Sequence, residues 1–104
     1  SASKGAVRFL SRSLALHCAA QGYDIRVNTL IPGAIHTEMV EGYIEAGKQA
    51  GQSRDQVIEG FASVHPMRRM GTATETADAI VFLASDESSF TTGADLPVDG
   101  GYMA

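Results

Sequence analysis

The sequence predicts an α/β fold built on a parallel sheet, and three observations lead there. The patterns follow the order helix, strand, helical flap, helix, short strand, which is a βαβ crossover preceded by a helix. The run Ile25-Arg26-Val27-Asn28-Thr29-Leu30-Ile31 is β-branched and almost continuously apolar toward its end. That is the pattern of a parallel strand covered on both faces. Residues 74–85 carry the cleanest helical periodicity and lead to a second short strand, Leu96-Pro97-Val98.

Each element has local reasons. Residues 3–21 read as a helix because Val7, Leu10, Leu14 and Cys18 recur at spacings of three and four. Ser3 is placed to cap it and Gly22 to end it. Phe9 and Leu16 widen its apolar stripe, as expected of a helix buried on two sides, against its own sheet and a partner chain. The strand over residues 25–31 is stopped by a Pro32-Gly33 turn. Residues 38–50 and 54–64 read as two short helices of weak periodicity. Gly42, Gly47, Gly51 and Gly60 interrupt them, each costing about 1 kcal/mol in a helix interior, so a loosely held, mobile flap is expected. His65-Pro66 ends it, because a residue before proline is pushed away from helical angles. In the helix over 74–85, Thr74 is the expected cap and Ala77, Ile80, Val81 and Ala84 form the apolar face, widened by Phe82 and Leu83. Residues 91–93 form a turn, and Pro97 suits an edge strand before Asp99-Gly100-Gly101.

Composition bounds the function. At 104 residues and 10.9 kDa the chain has room for one domain, and 44% hydrophobic residues can furnish a core. Eight Lys+Arg against 12 Asp+Glu leave a net charge of -4, which argues against binding nucleic acid. A single cysteine makes no internal disulfide and fits a reducing, cytoplasmic setting. No stretch approaches the ~20 apolar residues of a membrane helix, so no membrane role is expected. His17, His36 and His65 are far apart and share no metal-ligand spacing, so no metal is expected. Neither G-x-S-x-G nor G-x-G-x-x-G occurs. The start lacks a leader pattern and reads as a helix already inside a fold, so a fragment or processed chain is expected.

Two segments remain that could carry chemistry. The first is Ser1-Ala2-Ser3-Lys4-Gly5-Ala6-Val7, and the second is Asn28 followed by Pro32-Gly33-Ala34-Ile35-His36-Thr37. Lys4, Arg8 and Arg12 share one helix face, which by spacing alone reads as a solvated basic stripe. Residues 32–37 follow a strand, at the carboxyl end where open parallel sheets bind ligands.

These residues resemble the short-chain dehydrogenase/reductase family. Ala2 to Val7 are similar to the later part of that family's Y-x-A-S-K-x-A-V motif. Ile25 to Asn28 resemble its I-R-V-N strand, and Pro32, Gly33, Ile35 and Thr37 its P-G-x-[IV]-x-T segment. Phe82 to Asp86, Thr92-Gly93 and Asp99 to Gly101 resemble its tail. The matches run in order along nearly the whole chain. They cover only the family's C-terminal part: the catalytic Tyr would stand immediately before Ser1, and the glycine-rich cofactor loop and catalytic Ser would lie upstream.

The resemblance implies residues 1–104 of a Rossmann-like doubly wound parallel sheet in a three-layer α/β/α domain, with residues 38–65 as a substrate lid. It implies an NAD(P)-dependent oxidoreductase that interconverts a secondary alcohol and a ketone, and it slightly favours NAD over NADP. Lys4 would lower the pKa of the missing Tyr and bond the nicotinamide ribose. Pro32 and Gly33 would shape the chain under the nicotinamide, the Ile35 backbone would meet the carboxamide, and Thr37 would bond the carboxamide or pyrophosphate. Met39, Val40, Tyr43, Ile44 and Phe61 would give the lid an apolar inner face, or merely pack it onto the body. The stretch from Gln21 to Met39 resembles hydroxysteroid and alicyclic-alcohol dehydrogenases. Family habit implies a homodimer or homotetramer. The rival reading is an inactive oligomerisation module built on the first helix and the tail strand.

Overall fold

The computed structural model describes residues 2–104; Ser1, the first residue of the opening motif, lies outside the described residues. The elements are α1 (Ala2–Ala20), β1 (Thr29–Pro32), α2 (Glu38–Gln49), α3 (Arg54–Ser63), α4 (Ala73–Ala84), a 3-10 turn (Asp86–Ser88) and β2 (Asp95–Val98). β1 pairs with β2. The Thr29 amide donates to the Ala94 carbonyl and the Gly33 amide to the Val98 carbonyl, each at 2.9 Å. The bonds step forward together along both strands, so the pair is parallel and the fold is α/β as expected. The chain forms two compact units, one of Ser1–Ile31 and Ala79–Leu96, the other of Pro32–Asp78 and Pro97–Ala104.

In the first unit, α1 buries Ala15 and Cys18. Its end is a Schellman motif: Gly22 has φ 71°, its amide bonds to the Ala19 carbonyl, and the Tyr23 amide bonds to the Cys18 carbonyl. Ser3 is not the cap, since the helix has already begun at Ala2. In the chain by itself, Phe9 and Leu16 of the apolar stripe are 70% and 74% exposed. α4 buries no residue.

The strand expected over 25–31 begins only at Thr29. Residues 26–28 are held by one backbone bond, from the Gly93 amide to the Val27 carbonyl at 2.7 Å, and otherwise by side chains. The Arg26 guanidinium donates to Ser88 Oγ at 2.9 Å and to the Ser85 carbonyl at 3.0 Å. Asn28 donates from Nδ2 to the Thr91 carbonyl and accepts from the Ala94 amide at Oδ1. The strand also does not stop in a Pro-Gly turn. Pro32 is the last residue of β1, Gly33 keeps the ladder bond to Val98, and Ile35 forms a parallel bridge with Gly71.

In the second unit the core is Val40, Ile44 and Met70, with Ala34, Val57, Ile58 and Phe61 packed against it. α2 and α3 stack on each other, and Gly47 is what lets them approach: a Cβ there would lie 2.5 Å from Val57 Cγ2. Ser53 and Gln56 cap α3 reciprocally. The flap is therefore built as a packed helical hairpin, and its glycine at 47 makes a contact rather than a break. α4 is capped not by Thr74 but by Thr72, whose Oγ1 accepts the Glu75 amide while Glu75 Oε1 accepts the Thr72 amide.

Candidate functional site

Residues 32–37 leave β1 extended and are tied down almost atom by atom. The Ala34 amide donates to His65 Nε2 at 3.1 Å, the Ala34 carbonyl accepts the Gly71 amide at 2.9 Å, and the His36 amide donates to the Gly71 carbonyl at 2.9 Å. Between these bonds lies Ile35. A parallel bridge uses the neighbours of the bridging residue on one strand, and here they are Ala34 and His36. Among the described residues neither the N–H nor the C=O of Ile35 has a hydrogen-bond partner. The result is a fixed peptide donor and acceptor, complementary to an amide.

Gly33 has no room for a side chain: a Cβ would lie 2.8 Å from His65 Nε2 and 2.9 Å from Asp99 Cα. Asp99 is buried. Its carboxylate accepts the Gly101 amide at 3.0 Å and the Met103 amide at 3.2 Å, folding the tail back through Gly100 and Gly101 at φ 57° and 91°. A cavity of about 260 Å³ opens beside Ala34, His65 and Asp99, with Arg69 and Glu75 also on its wall.

Thr37 is the N-cap residue of α2, yet its side chain makes no cap bond, so the hydroxyl is not consumed by the helix. The first turn of α2 holds Glu38 and Glu41. Glu41 accepts both Arg54 guanidinium nitrogens at 2.7 and 2.8 Å and lies 2.7 Å from His36 Nε2. Arg54 first, then His36, hold its carboxyl down at about 2. Arg69 likewise grips Glu75 through two bonds of 2.8 Å. Arg69 and the Thr72 amide together lower Glu75 to about 2.

Lys4 is exposed on α1 and, among the described residues, enters no ion pair. Further along the basic stripe it opens, Arg8 and Arg12, still partly exposed, both close on Asp95 Oδ2, at 2.8 and 2.6 Å. Arg8 first and Arg12 next depress the Asp95 pKa. Of the lid residues, Val40 and Ile44 are core and Phe61 packs against them, whereas Met39 and Tyr43 are exposed. For Val40 and Ile44 the packing role is thus the one their burial fits. Sequence reasoning did not place His65 or Asp99 among the site residues, and met Asp99 only in the tail pattern Asp99 to Gly101. His65 entered it only as a helix stop, although a histidine four residues after Phe61 can reach back to that residue's carbonyl. Among the described residues no three His, Cys, Asp or Glu gather as a metal site, and no helix is long and apolar enough to cross a membrane.

A parallel strand pair joined through helices, with open backbone just beyond the carboxyl end of β1, defines a Rossmann-like α/β protein. A family model described as enoyl-(acyl carrier protein) reductase matches residues 1–103. The chain belongs to the short-chain dehydrogenase/reductase family. It is 46% identical over 103 residues to the NADP-dependent (R)-specific alcohol dehydrogenase of Lentilactobacillus kefiri, covering 99% of this chain and 37% of that protein. It is 45% identical over 101 residues to the galactitol 2-dehydrogenase (L-tagatose-forming) of Cereibacter sphaeroides, covering 97% and 36%. Among solved structures, a short chain dehydrogenase family protein from Francisella tularensis superposes with a TM-score of 0.88 at 37% identity, covering 97% of this chain and 41% of that one. The chain thus spans little more than a third of the length of these relatives.

Proposed function

We propose that the chain is the C-terminal part of a nicotinamide-dependent oxidoreductase that interconverts a secondary alcohol and a ketone. The observation that carries this reading is the Ile35 peptide at the carboxyl end of a parallel strand, whose N–H and C=O have no hydrogen-bond partner among the described residues. Gly33 supports it, because the space its Cβ would fill is already taken by His65 and Asp99 and the backbone there stays bare. When bound, the nicotinamide supplies hydride transfer. Ile35 would accept from and donate to the carboxamide, with Pro32 and Gly33 shaping the chain beneath the ring. Thr37 would add a hydroxyl. Glu38 and Glu41 already supply negative charge at the start of α2, so Thr37 suits the neutral carboxamide better than a pyrophosphate. Lys4 would stabilise the phenolate of a tyrosine one helical turn before it and so hold the proton-transfer group ready.

The two relatives named above are dehydrogenases of an alcohol and of a polyol, which favours small hydroxylated substrates. Met39 and Tyr43, apolar and exposed on α2, favour an apolar alcohol within that class, the hydroxysteroid and alicyclic types included. The cofactor is NAD or NADP; the name of the Lentilactobacillus relative speaks for NADP. The exposed Phe9 and Leu16 favour a homodimer or homotetramer through α1. The lone Cys18, buried in α1, agrees with a cytoplasmic enzyme.

The test is a polypeptide carrying the whole family domain, incubated with NAD or NADP and a panel of secondary alcohols. Reduced nicotinamide should accumulate with one of the two cofactors. Absence of both cofactor binding and turnover would overturn the proposal.

A further inference from the structure

His65 is 3% exposed, and both of its ring nitrogens are engaged by backbone. Nε2 lies 3.1 Å from the Ala34 amide nitrogen, and Nδ1 lies 2.8 Å from the Phe61 carbonyl oxygen. The partners fix the protonation pattern. An amide can only donate, so Nε2 must present its lone pair; a carbonyl can only accept, so Nδ1 must carry the proton. The ring is therefore the neutral Nδ1–H tautomer. Tyr102 lies against it with ring centroids 5.8 Å apart, and the absent Cβ of Gly33 would meet its Nε2.

The imidazole thus ties the end of α3 to the backbone that follows β1. Ala34 is bonded on its other side to Gly71, and Ile35 comes next. We propose that His65 is a positioning residue: its neutral Nδ1–H tautomer clamps Ala34 to the end of α3 and so sets the orientation of the open Ile35 peptide. This rests on the reading of Ile35 as the cofactor's amide contact. His65 itself touches neither reacting atom, so its effect falls on cofactor affinity before turnover.

Two substitutions separate the bonds. In His65→Gln the carboxamide reaches the position of Nε2 and can still accept from Ala34, while the Phe61 bond is lost. In His65→Asn the carboxamide reaches only the position of Nδ1, so the Phe61 bond survives and the Ala34 amide loses its acceptor. The whole-domain enzyme is measured three ways: ring-nitrogen NMR shifts for the tautomer, hydrogen exchange of the Ala34 amide, and KM for cofactor against kcat. The parent enzyme should show a protonated Nδ1 and a bare Nε2, with a protected Ala34 amide. His65→Asn should expose that amide and raise the cofactor KM about tenfold, the consequence of losing roughly 1.4 kcal/mol, with a smaller change in kcat. His65→Gln should restore most of both. A protonated Nε2 in the parent, or Asn and Gln variants equal in Ala34 protection, would overturn the clamp. A parent with the right tautomer and a protected Ala34 that binds no nicotinamide nucleotide would leave the clamp standing and overturn the dehydrogenase reading instead.

Discussion

Thr72 and Glu75 cap α4 reciprocally, the hydroxyl accepting one amide at 3.2 Å and the carboxylate the other at 3.0 Å. Arg69 holds the same carboxylate from the far side, so one glutamate joins the cap to the 67–71 loop. Thr72→Ala should therefore cost about 1 kcal/mol of stability. Thr74→Ala should cost little, because that hydroxyl is not the cap. Denaturant midpoints of the two variants in the whole-domain enzyme check this; equal losses would contradict it.

The Glu41–Arg54 pair should respond to acid in a defined window. Its partners lower Glu41 from the ordinary 4.5 to about 2. A depressed carboxylate contributes stability above its unfolded value and loses it as pH falls through the folded one. The tie between α2 and α3 should thus hold at pH 5 and weaken between 4.5 and about 2. In Arg54→Gln the Glu41 carboxyl should titrate closer to 4.5, measured by its carbon NMR shift. An unmoved midpoint would refute the pairing.

The flap glycines should not behave alike. Gly47→Ala drives a methyl to 2.5 Å from Val57 Cγ2 and should destabilise by about 1–3 kcal/mol through overpacking. Gly42, within the same helix, has nothing within 4 Å of its missing Cβ. Gly42→Ala should stabilise, by up to about 1 kcal/mol. Thermal midpoints moving in the same direction would show that close packing does not govern the hairpin.

Lys4→Met keeps the stem and removes the charge. Two unit charges about 4 Å apart at an effective dielectric near 20 interact by about 4 kcal/mol, at most roughly three pKa units of influence on a neighbouring phenol. The alkaline limb of alcohol oxidation should move up by about one pH unit or more, and cofactor affinity should weaken. Arg8→Met and Arg12→Met lose contacts to Asp95, so their effect should appear as lost stability with an unshifted pH profile. Wild-type turnover and profile in Lys4→Met would remove Lys4 from the chemistry.

The 104 residues by themselves should fold poorly. Val7, Phe9, Leu10, Leu14 and Leu16 of α1 and Ile80, Val81 and Phe82 of α4 are all exposed, and a domain this small is marginal even with its core closed. We expect dye binding to apolar surface and no cooperative thermal transition. A sharp transition in a monodisperse sample would be the contrary result.

The helices were legible because 3.6-residue periodicity and Gly22 are local signals. Thr74 misled because threonines stand at both 72 and 74, although only Thr72 has a glutamate three residues on, the spacing of a reciprocal cap. The β1 boundary was illegible because Arg26 and Asn28 satisfy nearby carbonyls with their side chains, which β propensity does not register. The family motif pointed to residues 32–37, but not to what holds them. His65 lies 31 residues beyond Ala34, a separation that no local pattern spans.

Arg26 has a consequence for which changes of length the chain can absorb. Its guanidinium meets Ser88 Oγ, the Ser85 carbonyl and the Thr91 carbonyl at once, so three points along one loop are gauged from a single side chain. Adding or deleting a residue between 85 and 91 would leave carbonyls out of its reach, whereas the exposed link around Gly51 between α2 and α3 has no such gauge. Relatives should vary in length at the second place and hardly at all at the first.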